Sequence, residues 1–395
     1  MAILIFNRSN NMFFDRWLQD VNEEIVLFNQ ANLSRVELSN YSHVENFKSL
    51  DNYKLVEQKT FELLGQFEFT KVIAHSEYDL ISAAYLREKL NIDGQSVKSA
   101  ISYRDKIVMK ECLDRENIDI APFKEIKTKL DVIEFMNIHG LPLVIKPKDG
   151  GGSRGTHVIA DIEAFEEFLN NKLDDNLMIE KFIEGEMYHI DGIAKNGKIL
   201  CSITSRYLNG CLAFQRGIGL GSVLTNQKDE ISKRLKELLL SVISSLPETP
   251  ILAFHAEVFH TKEDRLIVCE IASRTAGSRV IDNIRNIYGL DLNRLWVRLQ
   301  CGIDEKVNLP EGKVELGGFI TIPPQNGKLI GLPQNIPFDK VIDYSVSAKP
   351  GNIFREAASS VDNIASIMIK GESEDSIESK LNEISDWYIK NMEWE

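Results

Sequence analysis

The segment LPLVIKPKDGGGSRGTHVIA, residues 141–160, restricts the fold more than any other part of the chain. An apolar run ending at Lys146 meets Gly150-Gly151-Gly152-Ser153-Arg154-Gly155, and a second β-like run, THVIA, follows at once. The glycines satisfy G-x-G-x-x-G in letter, but a dinucleotide fingerprint must open a helix, and a strand follows here. Thr156 rather than lysine follows Gly155, which excludes a Walker A loop. What remains is a hairpin of strand, glycine loop and strand whose backbone N–H groups can lie over phosphates, with Lys146 as a fixed charge beside it. A mobile surface hairpin with a solvated lysine is the alternative. Protein kinases use the same device with the lysine after the loop, but the chain contains no HRD or DFG sequence.

The rest of the chain gives this hairpin its frame. Residues 1 to about 100 alternate the strand runs AILIF, EEIVLF and TKVIAH with helical patterns, the clearest being Leu80, Ala84, Leu86 and Leu90. That alternation implies βαβ units and a parallel sheet. Asn7-Arg8-Ser9-Asn10 after the first strand is no glycine fingerprint, which argues against a dinucleotide site there. From about 101 to 140 the pattern is helical, with DVIEFMNIHG stopping at Gly140 before Pro142. After the glycine hairpin come the helix IEAFEEFLNN, the strand LMIEKFI and a hairpin of YHIDGIA with KILCSITS about Asn196-Gly197. A second glycine segment from Arg216 to Gly221, the helix ISKRLKELLLSVISSL and the strand pair ILAFHAEVFH and RLIVCEIAS follow. From about 303 the chain restarts with short strands, Pro323-Pro324 and a final helix ending in Trp394. The expectation is a multidomain α/β and α+β protein, divided at 1–100, 101–302 and 303–395.

Charge and cysteine content narrow the partners. A net charge of −13 argues against a general binder of nucleic acid or anionic membrane, while leaving room for a local basic pocket. Five cysteines without a CxxC pair support neither a zinc knuckle nor a disulfide framework and read as reduced thiols in a cytoplasmic protein. Ala2 to Phe6 lacks a basic leader and is too short for a signal sequence, and no apolar stretch approaches the ~18 residues needed to span a bilayer. The Asn-x-Ser matches at Asn7, Asn32 and Asn40 therefore read as chance.

The strand pair near residue 260 carries the second chemical signal. Alternation puts Ala253, His255, Glu257 and Phe259 on one face, and Leu266, Val268 and Glu270 on one face of the partner. With a four-residue loop, Lys262 to Arg265, Glu257 lies directly opposite Glu270. Two facing carboxylates repel by up to ~1 kcal/mol when solvated and by more when buried, so a sheet that keeps them needs a reason. A divalent cation supplies one, and hard oxygen ligands suit magnesium with nucleotide phosphates. A slipped register with both side chains in water is the alternative. Arg274, just past the strand in SRTAGS, offers a fork of donors suited to an anionic transition state or an acyl phosphate. Small residues Ala276, Gly277 and Ser278 beside it would let a ligand approach the backbone. In MIEKFIEGEMYHIDG, the main chain of Glu180, Lys181, Phe182 and Ile183 could read an adenine rim while Glu186 takes ribose, or the segment is an ordinary strand and turn. Lys106 after Asp105, and a lid formed by Arg216 and Gly217, stand equally open, as does His255 as a substrate-positioning or a buried structural residue.

In this order and spacing, SYRDKIVMKECL, VIKPKDGGGSRGTHVI, IEKFIEGE, HAEVF and CEIASR resemble the ATP-grasp superfamily of carboxylate-amine ligases over most of the chain. HAEVF, EIASRTAGS and the long C-terminal region look most like the L-amino acid ligases that make dipeptides. The resemblance implies a Rossmann-like pre-ATP-grasp domain, a two-lobed ATP-grasp domain and a C-terminal α+β domain. It further implies that Lys106 and Lys146 contact ATP phosphates, that Gly151, Gly152 and Ser153 belong to the phosphate loop, that Glu180 to Ile183 hold adenine and that Glu186 holds ribose. Glu257 and Glu270 would bind one or two Mg²⁺ ions, with Mn²⁺ able to substitute. Arg274 would steady the acyl phosphate, and Arg274 and Lys146 are the expected catalytic residues; Arg216, Gly217, His255 and Ser278 are the candidates for contact with substrate. The chain departs from the family pattern at Ala272, where many members carry asparagine, at the six-residue spacing of Glu180 and Glu186, where seven is common, and at TAGS, which replaces a more glycine-rich segment. The expected function is an ADP-forming ligase that joins a carboxylate and an amine, both from L-amino acids, through an acyl phosphate. Loading of a carrier protein or a natural-product amine, bicarbonate-dependent carboxylation, and ATP sensing without chemistry are the alternatives, and a homodimer is a family-level expectation.

Overall fold

A computed structural model describes residues 1–30, 38–310 and 315–395; Asn32 lies outside them. Strands β1 (Ala2–Asn7), β2 (Glu24–Asn29), β3 (His43–Asn46) and β4 (Phe69–Ala74) form a parallel sheet in the order β3-β2-β1-β4. Every residue of β1 is buried, because elements cover both faces of the sheet. Edge strand β3, with the polar sequence HVEN, has no apolar run to announce it.

A second, antiparallel sheet of order β5-β8-β6-β7 contains β5 (Phe123–Ile126), β6 (Leu143–Pro147), β7 (His157–Ile159) and β8 (Leu177–Lys181). Strand β5 falls inside the stretch expected to be helical. Its four residues pair with β8 from Phe123↔Glu180 to Ile126↔Leu177, a long-range pairing that outweighs local pattern. Helices Lys129–His139 and Ile162–Asn170 cover this sheet through Val132, Phe135 and Phe165.

Strands β9 (Glu186–Lys195), β10 (Lys198–Leu208), β11 (Gly221–Leu224), β12 (Ile251–His260) and β13 (Leu266–Ala272) begin the main sheet. After them come β14 (Leu316–Ile322), β15 (Gly327–Gly331), β16 (Val341–Val346), β17 (Ile353–Phe354), β18 (Ala365–Gly371) and β19 (Glu393–Trp394). The main sheet has eight strands in the order β13-β12-β9-β10-β11-β14-β18-β16, so it continues across residue 303 into the C-terminal region. The turn between β9 and β10 is the two-residue Asn196-Gly197, both at positive φ (49° and 74°), as a type I′ hairpin requires.

One face of the main sheet packs Ile190, Phe254, Ala256 and Val258 against Leu235, Leu239 and Val242 of helix Glu230–Ser245. On the other face, helices Val280–Tyr288 and Leu292–Gln300 join the main sheet to the parallel sheet in one apolar cluster that includes Phe6, Ile193, Ala253 and Trp296. The C-terminal helix ends at Lys390, not Trp394; the chain turns back and Trp394 pairs with Leu329 in a small sheet of order β17-β15-β19. No helix among the described residues is long and apolar enough to cross a membrane.

Candidate active site

A cleft of about 690 Å³ opens between the β5-β8-β6-β7 sheet and the β13–β12–β9 end of the main sheet. Lys106 enters it from the first turn of helix Lys106–Arg115, whose N-terminus is capped by Asp105 accepting from the Ile107 and Val108 amides. Lys146 enters from β6. The glycine loop bridges β6 and β7, with Gly152, Ser153 and Gly155 at φ of 61°, 56° and 69°. Three contacts hold the loop over the cleft: Lys106 Nζ donates to the Gly150 carbonyl (2.8 Å), the Ser360 amide to the Gly152 carbonyl (3.0 Å), and Gln215 Nε2 to the Thr156 carbonyl (2.9 Å).

On the opposite wall, Glu257 of β12 lies directly across from Glu270 of β13. The connection differs from the expected four-residue loop. Thr261 and Arg265 close a three-residue turn with Asp264 at φ 60°, which shifts the pairing by one to Phe259↔Ile267 and Val258↔Val268. A bulge at Cys269 restores the register, so Cys269 and Glu270 both line the cleft. Val268 consequently does not share the face of Glu270; it pairs with Val258 and joins the core beneath the sheet.

Cations meet this acidic wall. Lys106 Nζ lies 3.2 Å from Glu270 Oε2. Burial works against the Glu270 carboxylate, but the Lys106 charge, with Lys146 behind it, outweighs burial and brings its pKa down to about 2. Lys146 Nζ lies 2.5 Å from Glu180 Oε1, and Lys110 Nζ lies 3.2 Å from Glu180 Oε2. Burial disfavours the Glu180 carboxylate, yet the Lys146 and Lys110 charges hold its pKa below the ordinary value. Lys146 is raised in turn, Glu180 more than offsetting the desolvation of its ammonium. Two facing carboxylates, Glu257 and Glu270, are the hard oxygen donors a divalent cation takes, and this donor set fits Mg²⁺. Ala272, opposite His255, adds no ligand.

Arg274 lines the cleft, and its Nε and Nη2 both donate to Glu77 Oε2 (3.0 and 2.9 Å). Glu77 sits on a 3₁₀ turn after β4 and also meets Arg104 Nη1 at 3.3 Å. The parallel sheet thus delivers a carboxylate to the cleft from almost 200 residues away in sequence, a partner that sequence spacing cannot reveal. Lys110, Tyr207, Asp191 and His189 were also missed; Lys110 stands one helical turn after Lys106, a spacing that could have marked it.

The remaining predicted residues divide. Gly151, Gly152, Ser153, Lys181, Phe182, Ile183, Arg216, His255 and Ser278 all line the cleft, whereas Gly217 only terminates the turn Ala213–Arg216 at φ 68° and is not among the lining residues. The Lys181 and Phe182 amides donate to the Pro122 and Pro142 carbonyls (2.9 and 3.3 Å), so neither can serve an adenine. Glu186 stands on the rim, where its carboxylate accepts from Tyr188 Oη (3.1 Å) and approaches Arg206 (3.6 Å). Ser278 Oγ is buried without a hydrogen-bond partner among the described residues. The Arg216 guanidinium donates to the Asn209 carbonyl at 3.2 Å.

A family model described as ATP-grasp domain matches residues 111–280, a span containing Lys146, the glycine loop, Glu180, Glu257, Glu270 and Arg274. The chain carries an ATP-grasp domain. Lys106 lies just before the matched span. The L-arginine-specific L-amino acid ligase of Bacillus subtilis is 25% identical over 367 residues, covering 89% of this chain and 87% of that protein. The alanine–anticapsin ligase of Bacillus subtilis (strain 168) is 21% identical over 381 residues, covering 84% and 79%. The crystal structure of L-amino acid ligase from Bacillus licheniformis superposes with a TM-score of 0.79 at 17% identity, over 98% of this chain and 97% of that one. That likeness extends the shared fold beyond the ATP-grasp domain to the whole chain.

Proposed function

We propose that the protein is an ATP-dependent carboxylate–amine ligase acting on L-amino acids, forming a peptide or amide bond with release of ADP and phosphate. One observation carries the reading: Glu257 and Glu270 face each other across one cleft from Lys106, Lys146 and the glycine loop. Adenine binding alone needs none of the carboxylates. Amino acids as substrates are supported by the two ligases that match most of the chain.

In this reading a substrate carboxylate oxygen attacks the γ-phosphorus of ATP, ADP leaves, and the acyl phosphate is captured by the amine of a second amino acid. Carbon–nitrogen bond formation expels phosphate, and the amine loses a proton. Mg²⁺ held by Glu257 and Glu270 would neutralise charge on the transferring phosphoryl group. Lys146 exchanges Glu180 for a phosphate oxygen, and Lys110 keeps Glu180 paired while it does so. Lys106 fixes the base of the glycine loop, whose closure keeps water from the acyl phosphate. Arg274 is oriented by Glu77 toward the carbonyl end of the substrate. Ser278 Oγ, without a protein partner, is a ready contact for substrate. With the Lys181 and Phe182 amides engaged, the Ile183 amide and the carbonyls at the end of β8 are the main-chain groups of the Glu180–Ile183 segment proposed to meet adenine.

Five free cysteines fit a reducing compartment, which supports a cytoplasmic setting. The deciding experiment measures phosphate release from MgATP with L-amino acids supplied singly and in pairs, with mass spectrometry of the products. Amino-acid-dependent phosphate release with a dipeptide mass is expected. Phosphate release that no amino acid stimulates refutes the proposal, and a product only with bicarbonate or with a carrier protein assigns one of the other ligase chemistries.

A further inference from the structure

Beneath Glu257 lies a chain of buried polar side chains to which the proposed chemistry gives no role. Ser222 Oγ is 2.7 Å from His189 Nε2, and His189 Nδ1 is 2.5 Å from Asp191 Oδ2. Asp191 Oδ1 is 2.9 Å from His255 Nδ1. His255 Nε2 is 3.4 Å from Glu257 Oε1 and 3.2 Å from Tyr207 Oη, which itself donates to Glu257 Oε1 at 3.0 Å. His189 and Asp191 are wholly buried, and Ser222, His255 and Tyr207 nearly so. Polar groups so placed are costly unless each is satisfied, and a sheet of this size could be built from apolar residues instead.

Strand register explains why the chain ends at Glu257. Across β13, β12 and β9, one row reads Glu270, Glu257, His189 and the next reads Ala272, His255, Asp191. Glu257 is therefore flanked by a carboxylate on one side and by the polar network on the other. Asp191 takes both imidazole Nδ1 atoms, one on each oxygen, so the outer edge of His255 can only face Glu257 and Tyr207. Every side-chain partner given to the Glu257 carboxylate among the described residues falls on Oε1, which leaves Oε2 toward the cleft.

The ligand atoms of His189, Asp191 and His255 lie within 4.8 Å of one another, close enough for a metal site of their own. Their geometry argues otherwise. Both histidines aim Nδ1 at the aspartate at hydrogen-bond distance, with no common point left for an ion.

We propose that Tyr207, His255, Asp191 and His189 are positioning residues that clamp one oxygen of Glu257 so that the other is presented to the divalent cation. This rests on the reading of Glu257 and Glu270 as the metal pair. Groups behind a metal ligand set its orientation and basicity, and their loss typically lowers metal affinity by about 10- to 100-fold. Glu270 has no equivalent network from the sheet; its ion-pair partner is Lys106, which comes from a helix outside the sheet, so the clamp makes Glu257 the member of the pair oriented by the sheet itself.

The test is Mn²⁺ binding to the full chain in the presence of ADP, read from the electron paramagnetic resonance signal of free Mn²⁺, alongside thermal unfolding. Tyr207→Phe removes one hydroxyl and keeps the ring against His189 (centroids 4.5 Å apart), so it is the variant expected to fold normally. Asp191→Asn breaks the buried carboxylate bridge and serves as the second variant. The expected result is Mn²⁺ affinity about 10- to 100-fold weaker in Tyr207→Phe at unchanged melting temperature, with metal-free ADP binding unaltered. Wild-type Mn²⁺ affinity in a folded Tyr207→Phe protein overturns the clamp. A Glu257→Gln protein that binds Mn²⁺ as the wild type does overturns the metal assignment beneath it. Mn²⁺ retained by Glu257→Gln but lost in Asp191→Asn would instead place an ion among the histidines and refute the positioning role.

Discussion

Lys110→Met tests whether nucleotide binding draws Lys146 away from Glu180. The buried Glu180 carboxylate is shared by two lysines, at 2.5 Å to Lys146 and 3.2 Å to Lys110. Methionine at 110 leaves the Lys146 pair intact and removes a buried ammonium that has no hydrogen bond of good geometry, so the apoprotein should lose little stability. The cost appears when phosphate recruits Lys146. Glu180 is then buried without a cation, whereas in the wild type Lys110 still faces it. At an effective dielectric constant of ~20 the lost attraction at 3.2 Å is about 5 kcal/mol, and partial retention of Lys146 reduces that to about 2–5 kcal/mol. Since each 1.4 kcal/mol is tenfold, affinity for a non-hydrolysable MgATP analogue should fall by a factor of about 30 or more. Isothermal titration calorimetry measures it, with Lys110→Arg as the variant that should restore most of the loss. A folded Lys110→Met protein within about threefold of wild-type affinity would show that Lys146 never leaves Glu180.

Three further outcomes are expected. Glu270→Gln should cut amino-acid-dependent phosphate release by about 100-fold or more and weaken Mg²⁺ activation, while metal-free nucleotide binding persists; full turnover would remove Glu270 from the metal site. Gly219→Ala places a Cβ 1.6 Å from the Thr321 carbonyl, where β14 pairs with the second glycine segment, and should destabilise the fold by about 3 kcal/mol or more; a melting temperature within about 2 °C of wild type contradicts that packing. His75, part-buried beside Phe14 with Nδ1 3.1 Å from the Phe6 carbonyl, has its pKa pushed down to about 4 by burial. The unfolded chain then holds this proton more readily than the folded one, so the contribution is full above pH ~6.5 and is lost as pH falls toward about 4. Chemical denaturation at pH 7 and pH 5 should show a loss about 1–2 kcal/mol larger for wild type than for His75→Gln, and equal losses would exclude the assignment.

The legible part of this fold is the part written in local pattern. Strands such as Leu143–Pro147 and Ile251–His260, the Asn196-Gly197 turn and the helix stop at Gly140 follow from alternation, turn chemistry and capping over a dozen residues or fewer. Segments whose identity comes from a distant partner were not legible: β5 is a strand because β8 lies beside it, and β3 because β2 does. The same division runs through the site. Lys146 and the glycine loop are adjacent in sequence, whereas Glu77 meets Arg274 only where the parallel sheet packs against the main sheet, and Tyr207 meets Glu257 only because β9 pairs with both β10 and β12.

The facing glutamates show how a local argument can reach the right pair by an incomplete route. Alternation and a four-residue loop put Glu257 opposite Glu270, yet the real turn is one residue shorter, with Asp264 in a left-handed conformation. Uncorrected, that turn would pair Glu257 with Cys269 and send Glu270 to the other face of the sheet, because a one-residue slip inverts a strand. The bulge at Cys269 takes up the extra residue and returns Glu270 to the cleft while Val268 remains in the core. A bulge weakens local pairing, and this one lies next to the proposed metal ligand Glu270, so on that proposal its position follows from the carboxylate it aims rather than from the stability of the hairpin. A deletion of Cys269 would therefore regularise the strand pair and leave Glu270 directly opposite Glu257, so Mn²⁺ binding should persist in a hairpin with an unbroken ladder; loss of Mn²⁺ affinity in a folded deletion variant would show that the bulge does more than take up the extra residue.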